Sequence, residues 1–254
     1  MIELMAEVPT QDGRMNAFVT RPEQGGPFAA IVILMDVWGL REELFDIARK
    51  VAVTGYYCIV PNFYYRQGLI SFEFRDERGR MKSISQLPAE DQLRIRKQMW
   101  ATTDDMAIAD MGSILAFLRS QPVKPGPKGA IGYCLGGRYA LQASAYYPDE
   151  FQASASLHGT RLATDAAHSP HKLAANCRGE IYCGFAEHDD LAPESTRKAL
   201  AEAFAAAPAV RYRHALHTGA VHGYALPNRD IYDKRAADRD WECIVAMFRR
   251  ALGN

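Results

Sequence analysis

The sequence predicts an α/β fold with a mostly parallel central sheet, helices on both faces and an antiparallel hairpin at one edge. From residue 28 onward, short apolar runs alternate with segments of helical spacing, which is typical of parallel strands joined by crossover helices. The run 28–35 is apolar throughout, as expected for a strand that is buried on both faces. Residues 2–8 and 14–20 flank Gln11-Asp12-Gly13, which is a hairpin signal.

The remaining elements follow from periodicity and from turn residues. The further expected strands are 56–60 (stopped by Pro61), 128–131, 153–157, 180–186 and 210–215, the last followed by a loop at 219–223. The expected helices are 41–54, 90–120 with a break near Thr102-Thr103, 139–147, 194–207 and 230–252. Residues 62–89 are irregular, and a long insert usually covers a site or is mobile. Because no linker or repeat divides the chain, we predict one domain over 1–254 with this insert.

Composition narrows the classes of protein that the chain can represent. The 254 residues contain 30 lysines and arginines and 30 aspartates and glutamates, so no net charge recruits nucleic acid or an anionic membrane. No apolar run reaches transmembrane length, and the start at Met1 lacks a signal-peptide pattern. The five cysteines form no CxxC pair, and Cys58 and Cys183 sit in apolar runs typical of core strands. We therefore expect a reduced, cytoplasmic protein with neither disulfides nor a zinc cluster.

One hexapeptide lies at the carboxyl end of a predicted strand, where parallel sheets carry their functional groups. Gly132-Tyr133-Cys134-Leu135-Gly136-Gly137 follows an apolar strand and precedes an alanine-rich helical segment, as a nucleophile elbow requires. The glycines on either side of Cys134 remove Cβ atoms that would collide in so tight a turn. A helix that begins under the cysteine would favour a thiolate and later an oxyanion. The hexapeptide alone also fits a tight turn with a buried packing cysteine.

Two later loops supply the partners that a thiol nucleophile needs. An acid follows the strand at 180–186, where it is either Asp189 or Asp190, and His222 follows the last strand. A histidine can take the proton of the thiol, and an acid can hold the imidazole in the productive tautomer. Each residue also has a simpler interpretation, as a helix cap or an ordinary loop histidine. Their order along the chain and their places beyond strand ends favour catalysis.

With these motifs in place, the chain resembles the dienelactone hydrolase family of the α/β-hydrolase superfamily over nearly its whole length. The cysteine elbow and the histidine loop 222–225 are similar to that family's motifs. In its acid loop an aspartate precedes a proline by four residues, and here Pro193 selects Asp189. The resemblance implies an α/β-hydrolase fold and the hydrolysis of an ester or lactone by Cys134, Asp189 and His222. It further implies a small-molecule substrate, no cofactor, and a monomer or homodimer.

The resemblance also assigns roles around the three residues. The oxyanion hole would use the backbone N–H groups of Val37 and Leu135. Asp36 stands where the family often has a glutamate that controls the charge state of the thiol. The family's dienelactone enzymes hold the substrate carboxylate with two arginines, but Leu226 occupies one of those positions. Arg66 or Arg229 could take the role of the missing arginine. The candidate substrate-binding residues, each of which also fits simple packing, are Trp38, Tyr65, Arg66, Arg94, His158 and Tyr224.

Three alternatives stay open at this point. A broader carboxylesterase or a phosphotriesterase could use the same scaffold. A non-catalytic ligand-binding relative would keep the pocket but carry an inert Cys134. A thiol redox protein is a third possibility, although no resolving cysteine lies near the elbow in sequence. Two histidine pairs, 168 with 171 and 214 with 217, have ligand-like spacing without a third ligand, so we predict no metal.

Overall fold

A computed structural model describes residues 1–253 and places their strands in one sheet of eight. The strands are β1 (Ile2–Thr10), β2 (Gly13–Arg21), β3 (Ala30–Leu34), β4 (Tyr57–Pro61), β5 (Lys128–Tyr133), β6 (Phe151–Leu157), β7 (Gly179–His188) and β8 (Val210–Val221). Their order across the sheet is β1-β2-β4-β3-β5-β6-β7-β8. The hairpin β1–β2 and the β2–β4 pair are antiparallel, and all other pairs are parallel. The predicted mostly parallel sheet with an antiparallel N-terminal hairpin is confirmed.

Helices cover both faces of this sheet. They are α1 (Glu42–Ala52), α2 (Ala89–Ala101), α3 (Asp104–Leu118), α4 (Leu135–Tyr146), α5 (Pro170–Leu173), α6 (Glu194–Ala205) and α7 (Lys234–Leu252). A methyl group on Gly129 of β5 would meet Phe248 of α7, whereas one on Gly132 would meet Gly136 of α4. Because strand residues an odd number apart point to opposite faces, α7 and α4 lie on opposite sides of β5.

The core forms where sequence periodicity predicts it. All five residues of β3 are fully buried, as expected for a central parallel strand. The closing helix α7 buries Ile244, Phe248 and Leu252 at helical spacing against the sheet. Cys58 and Cys183 are completely buried, which confirms their predicted core positions. Among the described residues, no helix is both long and apolar enough to span a membrane.

Several predicted boundaries were wrong by a few residues. Pro61 does not stop β4 but forms its last residue, opposite Ala17 in the antiparallel pair. The strand β8 continues to Val221, six residues beyond the predicted end, and so takes in the start of the predicted loop. Its pairing with β7 shifts register near residue 187 and then resumes. Gly219, at φ +77°, therefore lies at an irregularity within the β7–β8 pair and not in a loop.

The irregular insert 62–89 lies across two loops that follow strands. The Phe72 N–H donates to the Trp38 carbonyl at 2.9 Å, which joins the insert to the loop after β3. The Met81 N–H donates to the Asn228 carbonyl at 2.7 Å, and the Met81 carbonyl accepts from Asp230 at 3.0 Å, which joins it to the loop after β8. Both loops start at the carboxyl edge of the parallel strands, where α/β sheets carry their sites.

Candidate active site

The chain turns sharply at Cys134, between β5 and α4. Cys134 has φ +53° and ψ −113°, a conformation that a residue with a side chain rarely adopts. A Cβ atom on Gly132 would overlap the Gly136 carbonyl, so glycine is required there. The Cys134 N–H donates to Leu157 of β6 at 3.0 Å, and its carbonyl accepts from Thr160 at 3.1 Å. These bonds hold the strained residue at the predicted strand-to-helix elbow.

Asp189 and His222 meet at the same edge of the sheet. The distance between His222 Nδ1 and Asp189 Oδ2 is 2.8 Å. The other carboxylate oxygen of Asp189 accepts the Leu191 N–H at 2.9 Å, and its side chain is fully buried. Asp190 is exposed. The geometry therefore pairs the histidine with the aspartate that the spacing to Pro193 selects.

His222 also interacts with the elbow. Burial of the ring lowers the pKa of His222, but the Cys134 sulfur and the Asp189 carboxylate outweigh it and raise that pKa to about 10. A protonated imidazole that interacts with a cysteine favours the thiolate form of that cysteine.

Two backbone segments converge at the elbow. A Cβ atom on Gly136 would overlap the Leu34 carbonyl and lie 2.6 Å from the Met35 carbonyl, so the elbow packs directly on the end of β3. Leu135 is the first residue of α4, where an N–H group has no partner within its own helix. The Val37 carbonyl accepts the Tyr64 hydroxyl at 3.1 Å, which fixes the loop after β3, and no acceptor for the Val37 N–H lies within residues 1–253.

Comparison with known proteins shows which family the chain belongs to. The sequence model of the dienelactone hydrolase family matches residues 15–252. The chain belongs to the dienelactone hydrolase family. A Methylorubrum extorquens protein, provisionally named a carboxymethylenebutenolidase, is 24% identical over 248 residues, which is 96% of this chain and 79% of that protein. Family membership and the names of such relatives make the chain an ester-acting hydrolase.

Solved structures share the fold of this family member. A provisionally identified dienelactone hydrolase from Klebsiella pneumoniae superimposes with a TM-score of 0.84 at 21% identity, covering 98% of each chain. A dienelactone hydrolase-like promiscuous phosphotriesterase, P91, from metagenomic libraries superimposes with a TM-score of 0.77 at 19% identity, covering 99% of each chain. These likenesses confirm the predicted α/β-hydrolase fold.

Asp36, for which the resemblance implies control of the thiol, is held in a buried ion cluster. Its carboxylate accepts two bonds from Arg41, at 2.6 and 3.0 Å, and the Trp38 N–H at 3.1 Å. Arg41 also donates to Glu43 at 2.6 Å, and Glu43 accepts the Asn228 N–H at 2.6 Å. Burial opposes the charge of Arg41, but the two carboxylates raise the pKa of its guanidinium. The cluster ties the loop after β3 to α1 and to the loop after β8.

Three of the predicted substrate-binding residues, His158, Tyr224 and Trp38, lie near His222 or in the loop after β3. The ring centroid of His158 is 5.1 Å from that of His222 and 5.5 Å from that of Tyr224. The Arg229 guanidinium lies over Trp38, with its Cζ atom 5.3 Å from the centroid of the Trp38 ring. All three side chains are almost completely buried, so packing accounts for much of their contact.

The other three predicted substrate-binding residues make contacts elsewhere. The Tyr65 hydroxyl hydrogen-bonds Thr10 of β1 and donates to Asp110 of α3. Arg66 makes a bidentate pair with Asp110, at 2.8 and 2.9 Å. Arg94 is mostly exposed and pairs with its helical neighbour Asp91 at 3.2 Å. The structure therefore commits Tyr65 and Arg66 to holding the insert against the hairpin and α3.

Sequence reasoning missed the partners that hold the loops. Arg41 and Glu43 look in sequence like charges at the start of a solvent-facing helix, yet both are buried. A possible signal was the acidic residue Asp36 five positions before Arg41, directly after a buried strand. Spacing of this kind is common on surfaces, however, and does not by itself indicate burial.

The charge balance of the cluster gives a testable prediction for Asp36. In Asp36→Asn, Arg41 keeps only one carboxylate partner, so the local field becomes more positive and favours a thiolate. We expect iodoacetamide to alkylate Cys134 faster near neutral pH, with the rate–pH profile shifted by about 0.5–1 unit to lower pH. Glu43→Gln removes the same charge from Arg41 and is the control, with a smaller expected shift. Superimposable profiles for wild type and Asp36→Asn would mean that Asp36 only anchors its loop.

Proposed function

We propose that this protein hydrolyses carboxylic esters or lactones with Cys134 as nucleophile, His222 as general base and Asp189 as the acid that orients His222. The observation that carries the proposal is the Asp189–His222 hydrogen bond of 2.8 Å, made by a histidine whose pKa the Cys134 sulfur also raises. A cysteine on a strained turn, a histidine whose pKa that cysteine raises and a buried aspartate bonded to the histidine form the arrangement that covalent acyl transfer needs.

The proposed reaction proceeds in two stages. The Cys134 thiolate attacks the carbonyl carbon, and the resulting oxyanion faces the N–H groups of Val37 and Leu135. The intermediate collapses to a thioester as the alcohol leaves with a proton from His222. Water, deprotonated by His222, then hydrolyses the thioester. Because a thiolate is itself a good leaving group, substrates with poor leaving groups revert, and we expect activated esters and enol lactones to be preferred over amides.

The surroundings of Arg229 favour a substrate that carries a negative charge. Its guanidinium is buried, and its Nε has no hydrogen-bond partner among the described residues. Nη2 donates to the Ser83 hydroxyl at 3.3 Å, and the nearest carboxylate, on Asp230, is 4.0 Å from Nε. A methyl group on Gly223, next to His222, would lie 2.9 Å from Nη1. Arg229 lies over the Trp38 ring but has no hydrogen-bonded carboxylate among residues 1–253, which suits a substrate that brings its own carboxylate.

Two alternatives from the sequence remain within this proposal. The structural likeness to P91 favours a test of phosphotriesters, because amides that face an oxyanion can also face a phosphoryl oxygen. A panel of p-nitrophenyl esters, a lactone and a p-nitrophenyl phosphotriester separates a narrow lactonase from a broader esterase or phosphotriesterase. A folded wild-type protein that hydrolyses none of them, with or without prior alkylation of Cys134, would favour the non-catalytic ligand-binding alternative.

The acid assignment predicts different effects at two adjacent aspartates. Asp189→Asn should lower kcat/KM for p-nitrophenyl acetate by about 10³–10⁴-fold, because the imidazole loses the group that fixes its tautomer. The exposed Asp190→Asn is the matched control and should stay within about threefold of wild type, a barrier change under ~1 kcal/mol. Cys134→Ala sets the background rate. Greater damage in Asp190→Asn would show that the spacing to Pro193 selects the wrong acid.

Arg229→Met tests the anionic substrate. For an aryl ester that carries a free carboxylate we expect KM to rise about 10- to 100-fold, as a hydrogen bond to a charged group is worth about 1.5–3 kcal/mol. For the uncharged ester of the same shape the change should be about threefold or less. Arg94→Met, at an exposed arginine, is the control. Equal effects of Arg229→Met on the charged and the uncharged ester would contradict a role in binding the carboxylate.

A further inference from the structure

A second buried acid lies near the proposed base and has no role in the reaction described above. Asp240 of α7 is fully buried and accepts three hydrogen bonds, each of 2.6 Å. The Tyr182 hydroxyl and His217 Nε2 bond its Oδ1, and the Tyr224 hydroxyl bonds its Oδ2. A buried carboxylate is expensive unless hydrogen bonds compensate it, and here both oxygens are occupied.

The neighbouring strand leaves room for this cluster. A methyl group on Gly184 of β7 would overlap the Tyr224 hydroxyl and lie 2.7 Å from Asp240 Oδ2. The Gly184 carbonyl accepts the His158 N–H at 2.8 Å. A single glycine therefore brings the Asp240 cluster and the backbone of His158 to the same point in the sheet.

Tyr224 connects the cluster to His222 through ring contacts. Tyr224 lies two residues after His222 in the chain. Its ring meets the ring of His158 edge to face, with centroids 5.5 Å apart and an interplanar angle of 72°. His158 meets His222 in the same way, at 5.1 Å and 75°. The rings of His222, His158 and Tyr224 therefore form one row of edge-to-face contacts, here named the ring stack. Asp240 accepts a hydrogen bond from the Tyr224 hydroxyl at one end of this row.

The middle ring of this stack is held in an unfavourable state. His158 has φ +39°, is fully buried, and neither of its ring nitrogens has a hydrogen-bond partner among residues 1–253. Burial, together with the nearby His222, lowers the pKa of His158 well below its usual value, so its ring stays neutral beside a protonated His222. Strain and unpaired polar atoms at one residue are typical of functional positions.

We propose that Asp240 is a positioning residue for His222, acting through Tyr224 and His158; this rests on the proposed role of His222 as base. Asp189 holds Nδ1 of the imidazole and the Cys134 sulfur attracts the ring, but neither interaction fixes the tilt of the ring. The ring stack restricts that tilt. It also keeps His222 in place after acylation, when the sulfur no longer carries a charge to attract the imidazolium.

Tyr224→Phe against Tyr182→Phe is the test, since each removes one hydroxyl from the same carboxylate and only Tyr224 belongs to the stack. We expect Tyr224→Phe to lower kcat about 10- to 100-fold with KM within about threefold, the effect of a misplaced catalytic group. The pH profile of Cys134 alkylation should shift to higher pH, because a looser His222 stabilises the thiolate less. Tyr182→Phe should keep both kcat and the profile near wild type, with a similar loss of thermal midpoint.

The outcomes separate this inference from the proposed function. Unchanged kcat and alkylation profile in Tyr224→Phe, or an equal loss in Tyr182→Phe, overturns the positioning role while leaving ester hydrolysis intact. If wild type hydrolyses no ester, the proposed function fails, and the alkylation profile still compares the two variants. If Tyr224→Phe does not fold, Asp240→Asn is read in the same way: a shifted profile supports positioning, and a profile identical to wild type refutes it.

Discussion

The close approach of the elbow to the end of β3 is the constraint on which the site depends. Gly136 packs so tightly against the carbonyls of Leu34 and Met35 that no other residue fits. This contact sets the distance between the start of α4 and the loop after β3, and with it the separation of the Val37 and Leu135 amides. In the proposed mechanism these two amides act on one oxyanion, which requires the close backbone approach that a glycine permits.

Buried charge then holds the loops that this contact brings together. The ion cluster around Arg41 fixes the loop after β3 and reaches the backbone of Asn228, and Asp240 fixes the stretch after His222 through Tyr224. Ion pairs of this kind contribute little net stability compared with apolar packing, but removing one partner is strongly destabilising. In the proposed mechanism their role is to specify one position for each loop, as acyl transfer requires.

Local signals in the sequence predicted much of this arrangement. The glycines around Cys134 and the four-residue spacing from Asp189 to Pro193 are short-range patterns, so they can be recognised without knowledge of tertiary contacts. The side-chain directions of Tyr65 and Arg66 were not predictable in that way, because their partner Asp110 lies some 45 positions later on α3. The extension of β8 to Val221 was missed for the same reason, since it depends on pairing with β7 beyond an irregularity.

The central claim is that an acyl group passes through Cys134, and peptide mass spectrometry tests it most directly. The protein would be mixed with excess p-nitrophenyl acetate, quenched in acid during turnover and digested. The account predicts one added acetyl group on the peptide that contains Cys134, released by neutral hydroxylamine as a thioester is, and absent from Cys134→Ala. Sustained turnover by Cys134→Ala, or acetyl found only on another residue, would contradict it.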